Sequence, residues 1–138
     1  MDTAKTYDVI IIGAGAAGVG LGALFEKMGL KNYLILERDG VGSSFRKWAP
    51  YTRFISPSFA GNAFGAVDLN AVTPDTSPAF TLKTEHPSGT EYAAYLELVA
   101  DHFKLQIAEG IEVTNVEKTD EIFTIETTGE TYHSRCLV

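Results

Sequence analysis

A glycine-rich turn between a strand pattern and a helix pattern constrains this chain more than any other feature. Residues 8–12 are mostly β-branched and predict a strand that is buried on both faces. Residues 13–18 read Gly-Ala-Gly-Ala-Ala-Gly and fit the G-x-G-x-x-G pattern. The small and apolar residues 19–28 predict a helix, and residues 33–36 predict a second strand that leads into Glu37. This order of elements predicts a βαβ unit in a Rossmann-like α/β fold.

The residue types in this unit suit the binding of a dinucleotide. Gly13 permits a sharp turn after the strand, and Gly15 lets backbone N–H groups approach a pyrophosphate without an intervening side chain. Gly18 lets the helix lie close to the first strand. The N–H groups and the partial positive charge at the helix N-terminus would face the phosphates, and we expect Ala16 and Ala17 of the turn to be among the residues that bind the cofactor.

Glu37 lies nineteen residues after Gly18, near the distance at which this motif places an acid. Its carboxylate can accept hydrogen bonds from both hydroxyls of a ribose. It favours a free ribose over a 2′-phosphate, so the pattern suits FAD or NAD rather than NADP. A glycine-rich turn can also arise for packing alone, but the strand, the helix and the acid together favour nucleotide binding.

Composition and charge argue against other classes of protein. The chain has 11 basic and 18 acidic residues, a formal charge of −7 that argues against a nucleic-acid partner. The glycines within residues 13–22 would make a poor membrane helix, so we expect no membrane partner. Cys136 is the only cysteine, and neither it nor the three histidines has metal-ligand spacing. We therefore expect a cytoplasmic protein that acts on a small-molecule substrate.

Residues 38–88 predict one long loop without a sustained hydrophobic period. The loop contains all five prolines, but its aromatic residues indicate that it is ordered. Two interpretations are open: a satellite core beneath the loop, or one wall of a pocket for a flat ring system. The aromatic residues are Phe45, Trp48, Tyr51, Phe54, Phe59 and Phe64.

The rest of the chain predicts a helix followed by short strands. Ser88 and Glu91 have the spacing of a capping box, and the apolar residues that follow lie on one face of a helix. Residues 105–107 predict a third buried strand. The period then changes to two, which predicts an antiparallel β-meander. Its strands are expected around residues 111–113, 122–125 and 132–138.

With these pieces placed, the sequence resembles the N-terminal part of the FAD-binding domain of flavoproteins that have two dinucleotide-binding domains. It is most similar to flavin-containing and Baeyer–Villiger-type monooxygenases and their NAD(P)/FAD-dependent relatives. The resemblance covers nearly all of residues 1–138. Besides the glycine-rich turn and Glu37, it depends on residues 39–46, 48–57 and 87–105. Ser43 departs from the pattern, because the family has a second glycine there.

The resemblance implies an NAD(P)H-dependent flavin oxidoreductase, monooxygenase-like, in which the flavin carries the chemistry and no residue here is catalytic. It implies that FAD lies against Ser44, Phe45 and Trp48, and that the backbone near Val113 meets the adenine. Arg38 either lies along the adenine or is solvated. Three further basic residues face either a nucleotide or the solvent: Arg46, Lys47 and Arg53.

The resemblance also implies an incomplete fold. In the family, a second domain for NAD(P)H follows, and Cys136 to Val138 would open a core strand that pairs with the first strand. We therefore expect the edge of residues 9–12 to be bare and the chain to self-associate through it. Disulfide reductases of this fold would need a cysteine pair just after Gly42, where Ser43, Ser44 and Phe45 stand, so we expect no disulfide reductase chemistry.

Two other functions stay open. One is an NAD-dependent dehydrogenase domain, although the aromatic loop after Glu37 is longer than the short crossover usual there. The other is a truncated, non-catalytic nucleotide-binding module.

Overall fold

Ten helices and strands build the fold in the computed structural model, which describes residues 5–59 and 68–138. In chain order they are β1 (Thr6–Ile12), α1 (Ala16–Met28), β2 (Tyr33–Glu37), α2 (Ser43–Arg46), α3 (Pro78–Leu82), α4 (Gly89–Phe103), β3 (Ile107–Glu109), β4 (Val113–Thr119), β5 (Ile122–Thr127) and β6 (Tyr132–Leu137). The strands form one sheet in the order β3-β2-β1-β6-β5-β4. The predicted α/β fold, a parallel sheet with a β-meander, is confirmed.

β1 is buried on both faces, as its run of β-branched residues predicts. Ile11 packs into the larger core beneath α1 and α4, together with Ile35 of β2. Ile10 points to the opposite face and packs with Leu36 and Ile125 in a second core. Successive strand residues face opposite sides of the sheet, so β1, β2 and β3 contribute to both cores, whereas β4, β5 and β6 contribute to the second core.

The prediction of a bare edge on β1 is wrong. β6 pairs in parallel with β1, with Val9 opposite Cys136, and antiparallel with β5 on its other side. The pairing continues past β6, since Ile12 N donates to Val138 O at 2.8 Å and Val138 N donates to Ile10 O at 3.0 Å. One strand thus ends the meander and also covers β1. The expected self-association through that edge therefore has no structural support, because β6 already pairs with it.

The third parallel strand begins two residues later and is more exposed than predicted. β3 begins at Ile107 and pairs with β2 through three residues, Ile107 to Glu109. It is only partly buried because it lies at one end of the sheet. Leu105, assigned to this strand from the sequence, instead packs against the helix side of the sheet near Gly22.

The loop of residues 38–88 contains two short helices, α2 and α3, which the sequence did not predict. Three of its aromatic residues form a cluster with Tyr92 of α4. The ring centroids of Phe45 and Phe54 lie 4.8 and 4.4 Å from that of Tyr92, and the Trp48 ring lies 5.2 Å from Phe45. Tyr92 belongs to the larger core and Phe45 and Phe54 pack against it, so this part of the loop extends that core and does not form a separate, satellite one.

The remaining aromatic residues of the loop do not join this core. Tyr51 is 95% exposed and Phe59 is 43% exposed. Phe64 lies outside the residues that the structure describes. Within the described ranges, no helix combines the length and the apolar character needed to cross a membrane.

The predicted capping box is present at the start of α4. Glu91 N donates to Ser88 Oγ at 3.2 Å, and Ser88 N donates to Glu91 Oε2 at 2.7 Å. Arg53 Nη1 lies 3.3 Å from the same carboxylate oxygen. The Ser88 backbone N–H, followed by the Ser88 side chain and Arg53, lowers the pKa of Glu91 from its ordinary value of 4.5.

This lowered pKa predicts a pH-dependent effect of Glu91→Gln. The folded-state pKa lies below the unfolded one, so the carboxylate stabilises the fold above pH 4.5 and this contribution is lost as the pH falls through the folded pKa. We expect the free energy of unfolding of the variant to fall by about 0.5 kcal/mol at pH 7. The effect is small because the Glu91 side chain is 41% exposed. Urea unfolding at pH 7 and at successively lower pH measures the difference. A loss of equal size at every pH would contradict the role of the charge.

Candidate dinucleotide site

A cleft of about 500 Å³ lies at the carboxyl ends of β1 and β2. In open α/β sheets, ligands bind outside this end of the strands. Four segments line the cleft: the glycine-rich turn, the end of β2, the α2 region and the start of β4. The described lining residues are Ile12, Gly13, Gly15, Leu36, Glu37, Arg38, Asp39, Ser43, Ser44, Lys47, Ile111, Glu112 and Val113.

The three motif glycines are needed for three different reasons. Gly13 has φ +106°, a backbone conformation that residues with a side chain rarely adopt. A Cβ on Gly18 would lie 2.0 Å from the carbonyl oxygen of Gly13, so α1 can approach the turn only without a side chain there. A Cβ on Gly15 would meet no described heavy atom within 4 Å. The protein's own packing therefore does not require a glycine at position 15, whereas a ligand in the cleft would.

The start of α1 has backbone donors available for an anion. Among the described residues, α1 has no side-chain cap and no acidic residue in its first turn. The first helical hydrogen bond runs from Val19 N to Gly15 O at 2.9 Å. The N–H groups of Ala16 and Ala17 precede it and have no acceptor within the helix. Their side chains are half-buried and exposed, respectively, so any contact with a ligand would come from the backbone.

Glu37 is held in a fixed orientation at the end of β2. Its side chain is buried, at 8% exposure, and both carboxylate oxygens accept backbone hydrogen bonds. Ala14 N donates to Oε2 at 2.7 Å, and Asp39 N donates to Oε1 at 2.8 Å. A carboxylate has about four acceptor positions, so two are left for ribose hydroxyls. The glycine-rich turn and the acid thus form one hydrogen-bonded unit.

Charged side chains form the rim of the cleft beyond Glu37. Arg38 reaches from β2 toward β4, with Nε 3.5 Å from Asp39 Oδ2 and Nη1 3.8 Å from Glu112 Oε1. Lys47 Nζ lies 3.0 Å from the same Asp39 oxygen. The hydrogen bond from Lys47, together with the charges of Lys47 and Arg38, lowers the pKa of the Asp39 carboxyl.

The structure brings most of the predicted site residues together. Those that line the cleft are Gly13, Gly15, Glu37, Arg38, Ser44 and Val113. The side chains of Phe45 and Trp48 lie in the aromatic cluster instead, so their contact with a flavin stays a prediction.

Four charged and polar residues at the rim were not among the predicted site residues, although the sequence left Lys47 open between a nucleotide and the solvent. They are Asp39, Ser43, Lys47 and Glu112. A signal existed for two of them, since Asp39 follows the ribose-binding acid and Lys47 lies three residues after Ser44. Within residues 5–59 and 68–138, no group of three or more His, Cys, Asp or Glu side chains could hold a metal ion.

The profile of one protein family, described as pyridine nucleotide-disulphide oxidoreductase, matches residues 10–138. The chain belongs to this family. Its resemblance to the N-terminal FAD-binding portion of such oxidoreductases is thereby confirmed. The family description includes disulphide chemistry. The sequence argues against this chemistry, because it has no cysteine pair after Gly42.

Individual relatives match the chain in sequence or in fold. The uncharacterized oxidoreductase CzcO of Bacillus velezensis is 29% identical over 136 residues, which are 96% of this chain and 35% of that protein. The bacillithiol disulfide reductase Bdr (YpdA) of Staphylococcus aureus is 25% identical, with a TM-score of 0.72 over 96% of this chain and 37% of that one. A flavin-containing monooxygenase of Stenotrophomonas maltophilia is 20% identical, with a TM-score of 0.74 and the same coverage of 96% and 37%. The chain spans about a third of the length of the curated relatives it matches.

Proposed function

We propose that residues 1–138 form the FAD-binding segment of an NAD(P)H-dependent flavoprotein oxidoreductase whose whole chain has monooxygenase-type activity. The observation that carries this proposal is the Glu37 carboxylate, which two backbone N–H groups hold beside the glycine-rich turn. This arrangement supplies a preorganised acceptor for a ribose next to a turn that leaves room for phosphates.

The cleft offers a separate contact for each part of the ADP half of FAD. Glu37 accepts hydrogen bonds from the ribose hydroxyls. Gly15 would leave room for the diphosphate, and the N–H groups at the start of α1 would donate hydrogen bonds to it. Arg38 and the backbone near Val113 form the adenine end of the cleft. Bound FAD would supply the electron-transfer chemistry between NAD(P)H and oxygen or another acceptor, while the residues of this cleft would bind and orient it.

The segment after Glu37 suits the binding of FAD better than the binding of NAD. This segment leads through α2, which adds Ser43 and Ser44 to the cleft, into the aromatic cluster. A dehydrogenase would usually have a short crossover at this point. The flavoprotein resemblance of the sequence and the shared fold of a flavin-containing monooxygenase support the same choice.

A disulfide reductase is the second candidate for the whole protein. The family description and the 25% identity to a bacillithiol disulfide reductase favour it. Cys136 is the only cysteine in this segment, which would therefore contribute the FAD site and no internal dithiol. Oxygen-dependent NAD(P)H oxidation supports the monooxygenase, and oxidation that requires a low-molecular-weight disulfide supports the reductase. Bound FAD that neither NADH nor NADPH reduces would favour a non-catalytic module.

Gly15→Val tests the nucleotide site without disturbing the fold. Gly15 has φ −83° and ψ −164°, an extended conformation that valine adopts readily. We expect FAD affinity to fall by at least about tenfold because the side chain enters the phosphate position. The loss of stability should stay within about 1 kcal/mol, the cost of a poor helix cap.

Fluorescence titration with FAD measures the affinity of the variant, and urea unfolding measures its stability. Gly129→Val is a matched control, since a Cβ there meets its nearest atoms at ordinary distances of 3.7 and 3.8 Å. It should bind FAD like the unmodified chain. Unchanged FAD affinity in Gly15→Val would contradict the proposed site.

A further inference from the structure

We infer that Lys47 is the side chain that binds the diphosphate of the dinucleotide, and that Asp39 holds this lysine when no diphosphate is bound. The inference rests on the proposed function, because it assigns a residue to the same cleft.

The structure separates Lys47 from the other basic residues of its loop. Arg46 Nη2 contacts Glu97 Oε1 of α4 at 2.6 Å. Arg53 Nη1 donates to the carbonyl oxygen of His86 at 3.0 Å and also contacts the capping box of α4. Neither of these arginines lines the described part of the cleft, whereas Lys47 does.

The backbone joins Lys47 to the turn that receives the diphosphate. Gly42, which precedes α2, donates its N–H to Ala14 O at 2.9 Å, so α2 is anchored on the glycine-rich turn. Lys47 directly follows α2 and enters the cleft from this side. Arg38 is the other cation of the described rim, but it extends toward Glu112 at the β4 side. Lys47 is therefore the better placed of the two for the phosphates.

The charges of the rim also favour Lys47. Its described carboxylates, Glu37, Asp39 and Glu112, outnumber its cations, so an added diphosphate would be repelled without a dedicated partner. Arg38 already lies near two carboxylates.

Lys47 contacts one carboxylate, that of Asp39, and the two side chains are 63% and 44% exposed. An ion pair this exposed contributes little to stability, so the flexible lysine can exchange it for a phosphate at small cost.

Lys47→Met tests the inference, with Arg46→Met as a control that removes the same charge one residue away. We expect Lys47→Met to lower the affinity for both FAD and ADP by about tenfold, as for the loss of one charge-assisted hydrogen bond. Arg46→Met should change either affinity by less than about twofold, since exposed charges off the site are screened. Asp39→Asn should strengthen ADP binding by roughly two- to fivefold at low salt, because the competing carboxylate is removed.

The same titrations contain the outcomes that overturn the inference. Equal effects of Lys47→Met and Arg46→Met would show a general charge effect. A loss of affinity for FAD but not for ADP would place Lys47 at the flavin half of the cofactor instead. Weaker ADP binding in Asp39→Asn would show that Asp39 orients the site rather than competes for Lys47. An unmodified chain that binds neither ligand would overturn the proposed function as well, whereas normal binding by Lys47→Met would overturn this inference alone.

Discussion

Gly18→Ala is expected to destabilise the fold by about 3 kcal/mol or more. The added Cβ would lie 2.0 Å from Gly13 O and 3.1 Å from Gly13 C. These are backbone atoms of the turn and cannot rotate away as a side chain could. Helix α1 must therefore move away from the strand that the turn follows, and the packing of Ile11 beneath it is lost.

The sign of this effect is opposite to that of helix propensity. Within a helix, alanine is more favourable than glycine by about 1 kcal/mol, so propensity alone would stabilise the variant. Gly15→Ala is the matched control, since its Cβ meets no described heavy atom within 4 Å. We expect its midpoint of urea unfolding to stay close to that of the unmodified chain, while the midpoint of Gly18→Ala falls clearly. An unchanged midpoint in Gly18→Ala would contradict the close helix–turn contact.

The first βαβ unit could be predicted because its signals are local. The β-branched run, the glycine spacing and Glu37 lie within one short stretch, and each has one main structural explanation. The same local pattern also predicted separate roles for the glycines, with Gly15 beside a phosphate and Gly18 at a close helix contact. The motif could not show which atom Gly18 meets, and the folded backbone identifies it as the carbonyl oxygen of Gly13.

The pairing of β6 was beyond local sequence reasoning. Cys136 lies opposite Val9 across more than a hundred residues of chain, and no local pattern specifies such a partner. The sequence indicated that the last residues form a strand and that such a strand pairs with β1. It did not indicate that six residues, Tyr132–Leu137, suffice to pair with β5 and β1 at once.

The residues of the long loop were hard to place for a different reason. Phe45 and Lys47 are two residues apart, but one enters the aromatic cluster and the other the cleft. Their opposite directions follow from the single turn of α2, which the sequence did not predict. Without this helix, aromatic and basic residues of the loop could equally be assigned to a cofactor, a core or the solvent.

Glu37→Gln is expected to weaken FAD binding by about tenfold or more and to destabilise the fold by roughly 1–3 kcal/mol. Both oxygens of the carboxylate accept a backbone N–H, one from Ala14 and one from Asp39. A glutamine side chain has one acceptor oxygen, so its NH₂ group would face one of these donors. The buried donor would lose its partner, and the ribose would lose an oriented acceptor.

The direction of the binding change distinguishes this explanation from general electrostatics. FAD carries a negatively charged diphosphate, so removing any carboxylate from the cleft should strengthen binding if only charge mattered. Glu112→Gln is the control for that effect, because Glu112 lies at the same cleft and is 52% exposed. We expect Glu112→Gln to bind FAD as well as the unmodified chain or slightly better, and Glu37→Gln to bind it worse. If both variants bound FAD more tightly, Glu37 would act in this cleft only as a charge, and the ribose contact would have to be abandoned.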